Sequence, residues 1–400
     1  MDIKDRFISY VKIDTQSDEN STSSPSTLKQ LDLAKKLVDE LQKLGISDAY
    51  LNKFGVVYAH IPANDETKDK IGFISHMDTS PDCSGADVTP RLIKSYDGND
   101  IVLNSEENII LDTKTFPSLL ENVGEDLIVT NGKTLLGADD KAGVAIIMTF
   151  LEKLLASDIK HGQISIAFTP DEEVGRGTEH FDIQEFDADY AYTVDGGDIH
   201  AIEYENFNAA SAKVEIFGKS IHPGSAKDKM INSLLVAEEF NDLLPRDMIP
   251  SKTEGYQGFN HLCEIKGNVE NTVMEYIIRN HSKELFKKQK NDFEIAKNIL
   301  NHKYEYEIIK LTITDSYENM RPYIEKDPRS LNKVVETYKN LKIPYQFLPI
   351  RGGTDGATLT VKGLPTPNLG TGGYNYHGRY EYVSLNQMKQ MVNILLELVK

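Results

Sequence analysis

I-G-F-I-S-H-M-D-T, residues 71–79, is the stretch whose reading decides the fold. It opens as an apolar run of strand length and ends in His76 and Asp78, which point to the same side of extended backbone. Runs of the same kind recur at 164–169 and 190–194 and also end in acidic groups. Glu172 and Glu173 close the first, in I-A-F-T-P-D-E-E-V-G (166–175), and Asp195 the second, in Y-T-V-D-G-G (192–197). Between them, residues 142–156 read as a buried helix, preceded by Asp139 in L-L-G-A-D-D-K-A-G (135–143). Leu31, Ala34, Leu37, Leu41 and Leu44 predict another helix over 25–44. Strands alternating with helices predict an α/β sheet covered on both faces. In such a sheet, ligands bind where loops leave the carboxyl ends of the strands. All four acidic or histidine clusters fall just after an apolar run.

Around residue 207 the pattern changes. Strands are expected over 212–217, 258–266, 273–279 and 306–314, with helices over 232–244 and 282–303. The order strand-helix-strand-strand-helix-strand is the split βαβ arrangement of ferredoxin-like domains. None of the metal-ligand candidates lies there, which predicts an inserted domain. The α/β theme then resumes, with a helix over 329–341, a strand over 345–350 and a final helix over 384–399. His377 comes from this returning part, in G-T-G-G-Y-N-Y-H-G-R (370–379). The expected organisation is a catalytic domain in two parts, 1–206 and 317–400, interrupted by an inserted domain, 207–316.

The 400 residues exceed one ordinary core, and an apolar fraction of 40% suffices for packed domains. No segment is long and apolar enough to span a membrane, and the N-terminus lacks the pattern of a signal peptide. Only Cys83 and Cys263 occur, which excludes a disulfide framework and leads us to expect a cytoplasmic protein. The net charge of −18, from 44 basic and 62 acidic residues, disfavours nucleic acid and anionic membranes as partners.

Histidines mixed with carboxylates suit zinc or a similar divalent ion. Asp78 is placed to hydrogen-bond His76 and fix its tautomer. Two adjacent carboxylates, Glu172 and Glu173, resist joint ionisation unless a cation is near; one can then ligate while the other moves protons. Each cluster alone is also what a polar strand end, an Asp helix cap or a turn carries. The conjunction of four strand ends and a late histidine carries the reading of a dinuclear site.

The order and wording of these segments resemble the co-catalytic zinc aminopeptidases and carboxypeptidases, whose pattern is His-x-Asp, Asp-x-Lys, Glu-Glu, Asp and a late His. The stretches L-G-A-D-D-K-A-G, E-N-F-N-A-A-S, H-P-G-S-A-K and E-G-Y-Q-G-F are similar, more narrowly, to the peptidase T group of tripeptide aminopeptidases. The resemblance implies two Zn²⁺ per subunit, replaceable by Co²⁺ or Mn²⁺. His76, Asp139 and Asp195 would hold one ion and Asp139, Glu173 and His377 the other. The bridge falls to Asp139 over Asp140 because the family's bridging aspartate stands two before the lysine. Glu172 would be the general base towards a metal-bridging water, and Asp78 would orient His76.

Arg351, in P-I-R-G-G-T-D-G (349–356), would clamp the peptide carboxylate with two parallel hydrogen bonds. A structural ion pair is its plainer role. His222 resembles a lid histidine that polarises the scissile carbonyl. The implied fold is a dizinc-exopeptidase-like catalytic domain, with helices on both faces of a mixed sheet, interrupted by a ferredoxin-like lid or dimerisation domain. The expected partners are tripeptides and a second copy of the chain. The same ligands would also serve a dipeptidase, a carboxypeptidase or an N-acyl amino acid deacylase. A metal-dependent peptide-binding protein and an assembly module are the readings without catalysis.

Overall fold

The computed structural model describes residues 1–400, which form two compact units. The first comprises Met1–Tyr204, Pro322–Leu348 and Thr354–Lys400; the second comprises Glu205–Arg321 and Pro349–Gly353.

The first unit is built on an eight-stranded mixed sheet. Its strands lie in the order Tyr50–Leu51, Val57–Ile61, Ile164–Thr169, Ile71–His76, Tyr190–Gly196, Asn368–Gly370, Ala201–Glu203 and Gln346–Phe347. The four from Ile164–Thr169 to Asn368–Gly370 run parallel. Parallel neighbours bring their carboxyl ends to one edge, so the loops bearing His76, Glu172, Glu173 and Asp195 emerge side by side.

Side chains alternate between two cores, as the period of a strand requires. Ile71 and Phe73 pack into a large core with the helices Ile3–Val11, Gln30–Lys43, Ala138–Leu155, Arg329–Leu341 and Leu385–Leu398. Ile74 packs into a smaller core on the opposite face, with Phe186 and Leu359. The helix Ala138–Leu155 is apolar on nearly every side because it is buried from Ala142 to Leu151. Gly143 sets how closely it approaches the sheet: a Cβ there would lie 1.9 Å from the Val194 carbonyl oxygen and 2.7 Å from Ser75 Oγ. Backbone cannot yield as a flexible side chain does, so Gly143→Ala is expected to cost about 3 kcal/mol, the upper end of ordinary overpacking. A thermal midpoint within a degree of the parent's would contradict that packing argument.

Three local expectations differ from the structure. The helix expected over 25–44 begins at Gln30, and the segment before it is tied down by Ser26 N–H donating to the Asp171 carboxylate. The strand expected over 345–350 is reduced to Gln346–Phe347, an edge pairing with Ala201–Glu203. A four-stranded sheet, Gly373–Tyr374, Tyr382–Ser384, Leu127–Val129 and Arg91–Ile93, was not anticipated, nor was the hairpin of Ile101–Asn104 with Ile109–Leu111. These strands have two to four residues each, too few to show a period in sequence.

The second unit is a four-stranded antiparallel sheet in the order Phe259–Gly267, Asn271–Asn280, Asn208–Phe217, Ile309–Tyr317. With the helices Ser233–Leu243 and Lys283–Lys303, the chain order and strand order are those of a ferredoxin-like fold. Val214, Ile216, Met274, Tyr276 and Ile278 meet Val236, Phe240 and Phe293 in its core. The overall class is thus α/β, a mixed-sheet domain interrupted by an inserted ferredoxin-like one.

Candidate metal centre

His76 ends its strand with a buried side chain. Its Nδ1 lies 3.1 Å from the Asp78 carbonyl oxygen and 3.3 Å from Asp78 Oδ1, which leaves Nε2 for the site. Nε2 stands 2.9 Å from Asp139 Oδ1 and 3.4 Å from Asp195 Oδ1. Across the carboxylate, Asp139 Oδ2 lies 3.1 Å from His377 Nε2, which is 2.9 Å from Glu173 Oε2. Asp139 therefore presents one oxygen to each histidine. His76, Asp139 and Asp195 form one group of three ligand atoms within 4.8 Å of one another, and Asp139, Glu173 and His377 form a second.

Local structure explains the aim of each group. Asp139 follows Gly137, which is left-handed at φ 81°, and its own φ of −84° and ψ of 105° are not helical. Asp140 turns inward: Oδ2 accepts from Ser75 Oγ and from His76 N–H, and Oδ1 accepts from Gly143 N–H. It pins the strand end and stands in neither ligand group. Asp78 accepts from the N–H groups of both Glu172 and Glu173, at 3.1 and 3.2 Å, and so holds the acidic loop as well as His76. Glu172 Oε2 is 4.0 Å from His76 Nε2. His377 is left-handed at φ 63° and partly exposed.

Three neighbours carried no sequence signal of their own. Asp171, left-handed and buried, accepts from Ser26 N–H and Gln30 Nε2 and anchors the loop bearing Glu172. It stands in the same acidic run as Glu172, the one feature that marked it. Asp82 Oδ2 faces His377 Nδ1 at 3.5 Å. Asp355 is buried and accepts from Thr169 Oγ1 at 2.7 Å.

Arg351 and His222 belong to the second unit. Arg351 donates to the carbonyl oxygens of Gly255, Gln257 and Thr253 and lies over the rings of Phe207 and Phe259. His222 is exposed, and its Nδ1 accepts Gly224 N–H at 3.1 Å. Neither residue belongs to the two ligand groups.

The electrostatics fit a pair of divalent cations. Burial lifts Glu173 and Asp195 to about 7 each and Glu172 well above the usual carboxylate range. Hydrogen bonds to Asp139 and Glu173 push His377 up to about 11. Burial opposes charging His76, yet Asp195 and Asp139 together hold its pKa well above the ordinary value. Glu173 Oε1 is buried with no hydrogen-bond partner in the chain. Crowded oxygen and imidazole ligands of this kind suit zinc and its neighbours.

Ions held here would need their ligands deprotonated and would compete with the protons that Glu173 and Asp195 retain below about pH 7 and with those on both histidines. Affinity is expected to rise between pH 5.5 and 8, with protons released on binding. Calorimetry in two buffers of different ionisation enthalpy counts them; an affinity independent of pH would exclude these residues as ligands.

A sequence profile described as "Peptidase family M20/M25/M40" matches residues 131–400. Peptidase T of Clostridium acetobutylicum is 50% identical over 401 aligned positions, covering 100% of this chain and 98% of the relative. Peptidase T of Clostridium perfringens is 52% identical with the same coverage. Among solved structures, the aminopeptidase PepT of Bacillus cereus superposes with a TM-score of 0.77 at 20% identity, covering 100% of this chain and 97% of that one. A tripeptidase from Staphylococcus aureus gives 0.76 at 22%, again covering 100% and 97%. A dinuclear metal-binding M20 peptidase of Bacillus subtilis gives 0.64 at 13%, covering 99% and 97%; likenesses at such identities speak for the fold alone. The full-length identities speak for more: the chain belongs to peptidase family M20/M25/M40, among the peptidase T proteins.

Proposed function

We propose that the chain is a dizinc aminopeptidase that removes the N-terminal residue of tripeptides. The observation that carries this reading is Asp139, one oxygen towards each histidine, with Glu172 beside the first group. The name of the full-length relatives, peptidase T, supports the substrate class. His76, Asp139 and Asp195 would hold one ion, and Asp139, Glu173 and His377 the other. Two bound divalent ions supply Lewis acidity, which lowers the pKa of water towards neutrality and polarises a carbonyl.

The remaining work falls to the chain. Glu172, largely buried and lifted in pKa, takes a proton from the attacking water and returns it to the leaving amine. Asp78 keeps His76 in one orientation and the acidic loop in register with it. His222 polarises the substrate carbonyl, and Arg351 binds the free carboxylate. That second role requires the guanidinium to exchange carbonyl acceptors at 253–257 for the substrate. Assembly as a homodimer through the second unit belongs to the same proposal, since the outer strand Phe259–Gly267 is exposed from Cys263 onwards and leaves a sheet edge to pair. We place the enzyme in the cytoplasm.

The test is hydrolysis of Ala-Ala, Ala-Ala-Ala, Ala-Ala-Ala-Ala and N-acetylated Ala-Ala-Ala, with and without a chelator. Chelator-sensitive cleavage of the free tripeptide alone is the expected result. Preference for the dipeptide or the acylated peptide would replace the substrate assignment by a dipeptidase or a deacylase.

A further inference from the structure

We propose that Glu381 is a positioning residue that fixes the shared ligand Asp139 by gripping the backbone of the turn that presents it. The inference rests on the dinuclear reading above and concerns how the chain keeps the two ion positions in register. Glu381 is 1% exposed, and both of its oxygens accept from main chain. Oε2 accepts from Leu136 N–H at 2.6 Å and Gly137 N–H at 2.8 Å; Oε1 accepts from Asp139 N–H at 3.0 Å. These three donors belong to the non-helical turn that leads into the helix, where no helical carbonyl is there to accept them. A carboxylate that collects three N–H groups makes stronger bonds than neutral acceptors would. Lys141, a buried cation of the same turn, donates to the Ile13 carbonyl at 2.8 Å.

The other end of Glu381 explains why the grip concerns both ions. Glu381 stands four residues after His377, in a loop closed on itself by Glu381 N–H to the Gly378 carbonyl and by Asn375 Nδ2 to the Tyr380 carbonyl. It leads directly into Tyr382–Ser384, which pairs with Leu127–Val129, the strand that enters the 130–138 turn. One carboxylate thus joins the segment carrying His377 to the segment carrying Asp139. Asp139 is common to both groups, so a slack turn displaces a ligand of each.

The charge and its two acceptors are what matter. In Glu381→Gln an amide NH₂ must face either Asp139 N–H or the Leu136 and Gly137 pair, and the turn must shift. Glu381→Asp keeps two acceptors on a shorter arm.

The experiment is calorimetric titration of chelator-stripped protein with Mn²⁺ for the parent and both variants, beside thermal midpoints of the metal-free proteins and tripeptide kinetics. Glu381→Gln is expected to bind about 10–100-fold more weakly, with kcat falling by more than KM rises, and Glu381→Asp to recover part of both. Parent-like ion affinity and kcat in Glu381→Gln, with only a lowered midpoint, would overturn the proposal and leave Glu381 a plain helix cap. If Glu381→Gln does not fold, Glu381→Asp decides: reduced affinity supports the proposal and parent affinity overturns it. A parent that binds no ion would instead overturn the dinuclear reading, and this inference with it.

Discussion

Glu172→Gln is expected to keep its metal and its fold and to lose about 10³-fold in kcat. General base catalysis contributes roughly 10²–10⁴-fold, and the upper part of that range applies where the base has no substitute nearby. The carboxylates of the two ligand groups already face a histidine: Asp139 both His76 and His377, Glu173 His377, and Asp195 His76. Glu172 is the one held back, at 4.0 Å from His76. Its backbone is fixed by Asp78 and, through Asp171, by Ser26 and Gln30, so the amide variant keeps its place. Metal content measured on the purified variant separates the two roles. Loss of an ion would make Glu172 a ligand, and full activity with both ions present would remove it from the chemistry.

Asp139→Ala is expected to have the broader effect: loss of both ions after dialysis and a fall in activity of about 10³–10⁴-fold, the equivalent of several kcal/mol of transition-state stabilisation. Removing this carboxylate leaves His76 and Asp195 in one group and Glu173 and His377 in the other. Two ligands each cannot close a site that ordinarily takes three protein groups. The histidines also lose the partner that raises their pKa: Asp139 is the leading cause at His377 and contributes at His76. His377→Ala is the comparison, since it touches one group alone and should forfeit one ion. Equal metal loss in the two variants would argue against a shared carboxylate, and retention of both ions by Asp139→Ala would exclude it.

Much of the first unit was legible because its signals are local. The runs at 71–75, 164–169 and 190–194 are strands in the structure, and the residues following them are those that meet at the sheet edge. A strand declares itself through adjacent residues, and a parallel sheet then converts "after the run" into "at one edge" without further information. The inserted unit was legible for the same reason, since its strands and helices are nine to twenty-one residues long.

What the amino-acid order by itself determined is therefore the succession of elements and the inventory of carboxylates and histidines at their ends. The choice between Asp139 and Asp140 came from the resemblance alone, since residue type and order do not make it. Two adjacent aspartates differ only in where the turn after Gly137 aims them, and packing sends Asp140 to Ser75 and Gly143 and leaves Asp139 to the histidines. The return of His377 across 238 residues, the grip of Glu381 on the 136–139 turn and the grouping of Arg351 with the inserted unit belong to the tertiary structure too. Of these, only His377 is marked in the chain, by its place in the family pattern; the other two have no period or neighbour to announce them. They exist because burial forces backbone N–H groups and carboxylates to find partners wherever the fold brings them.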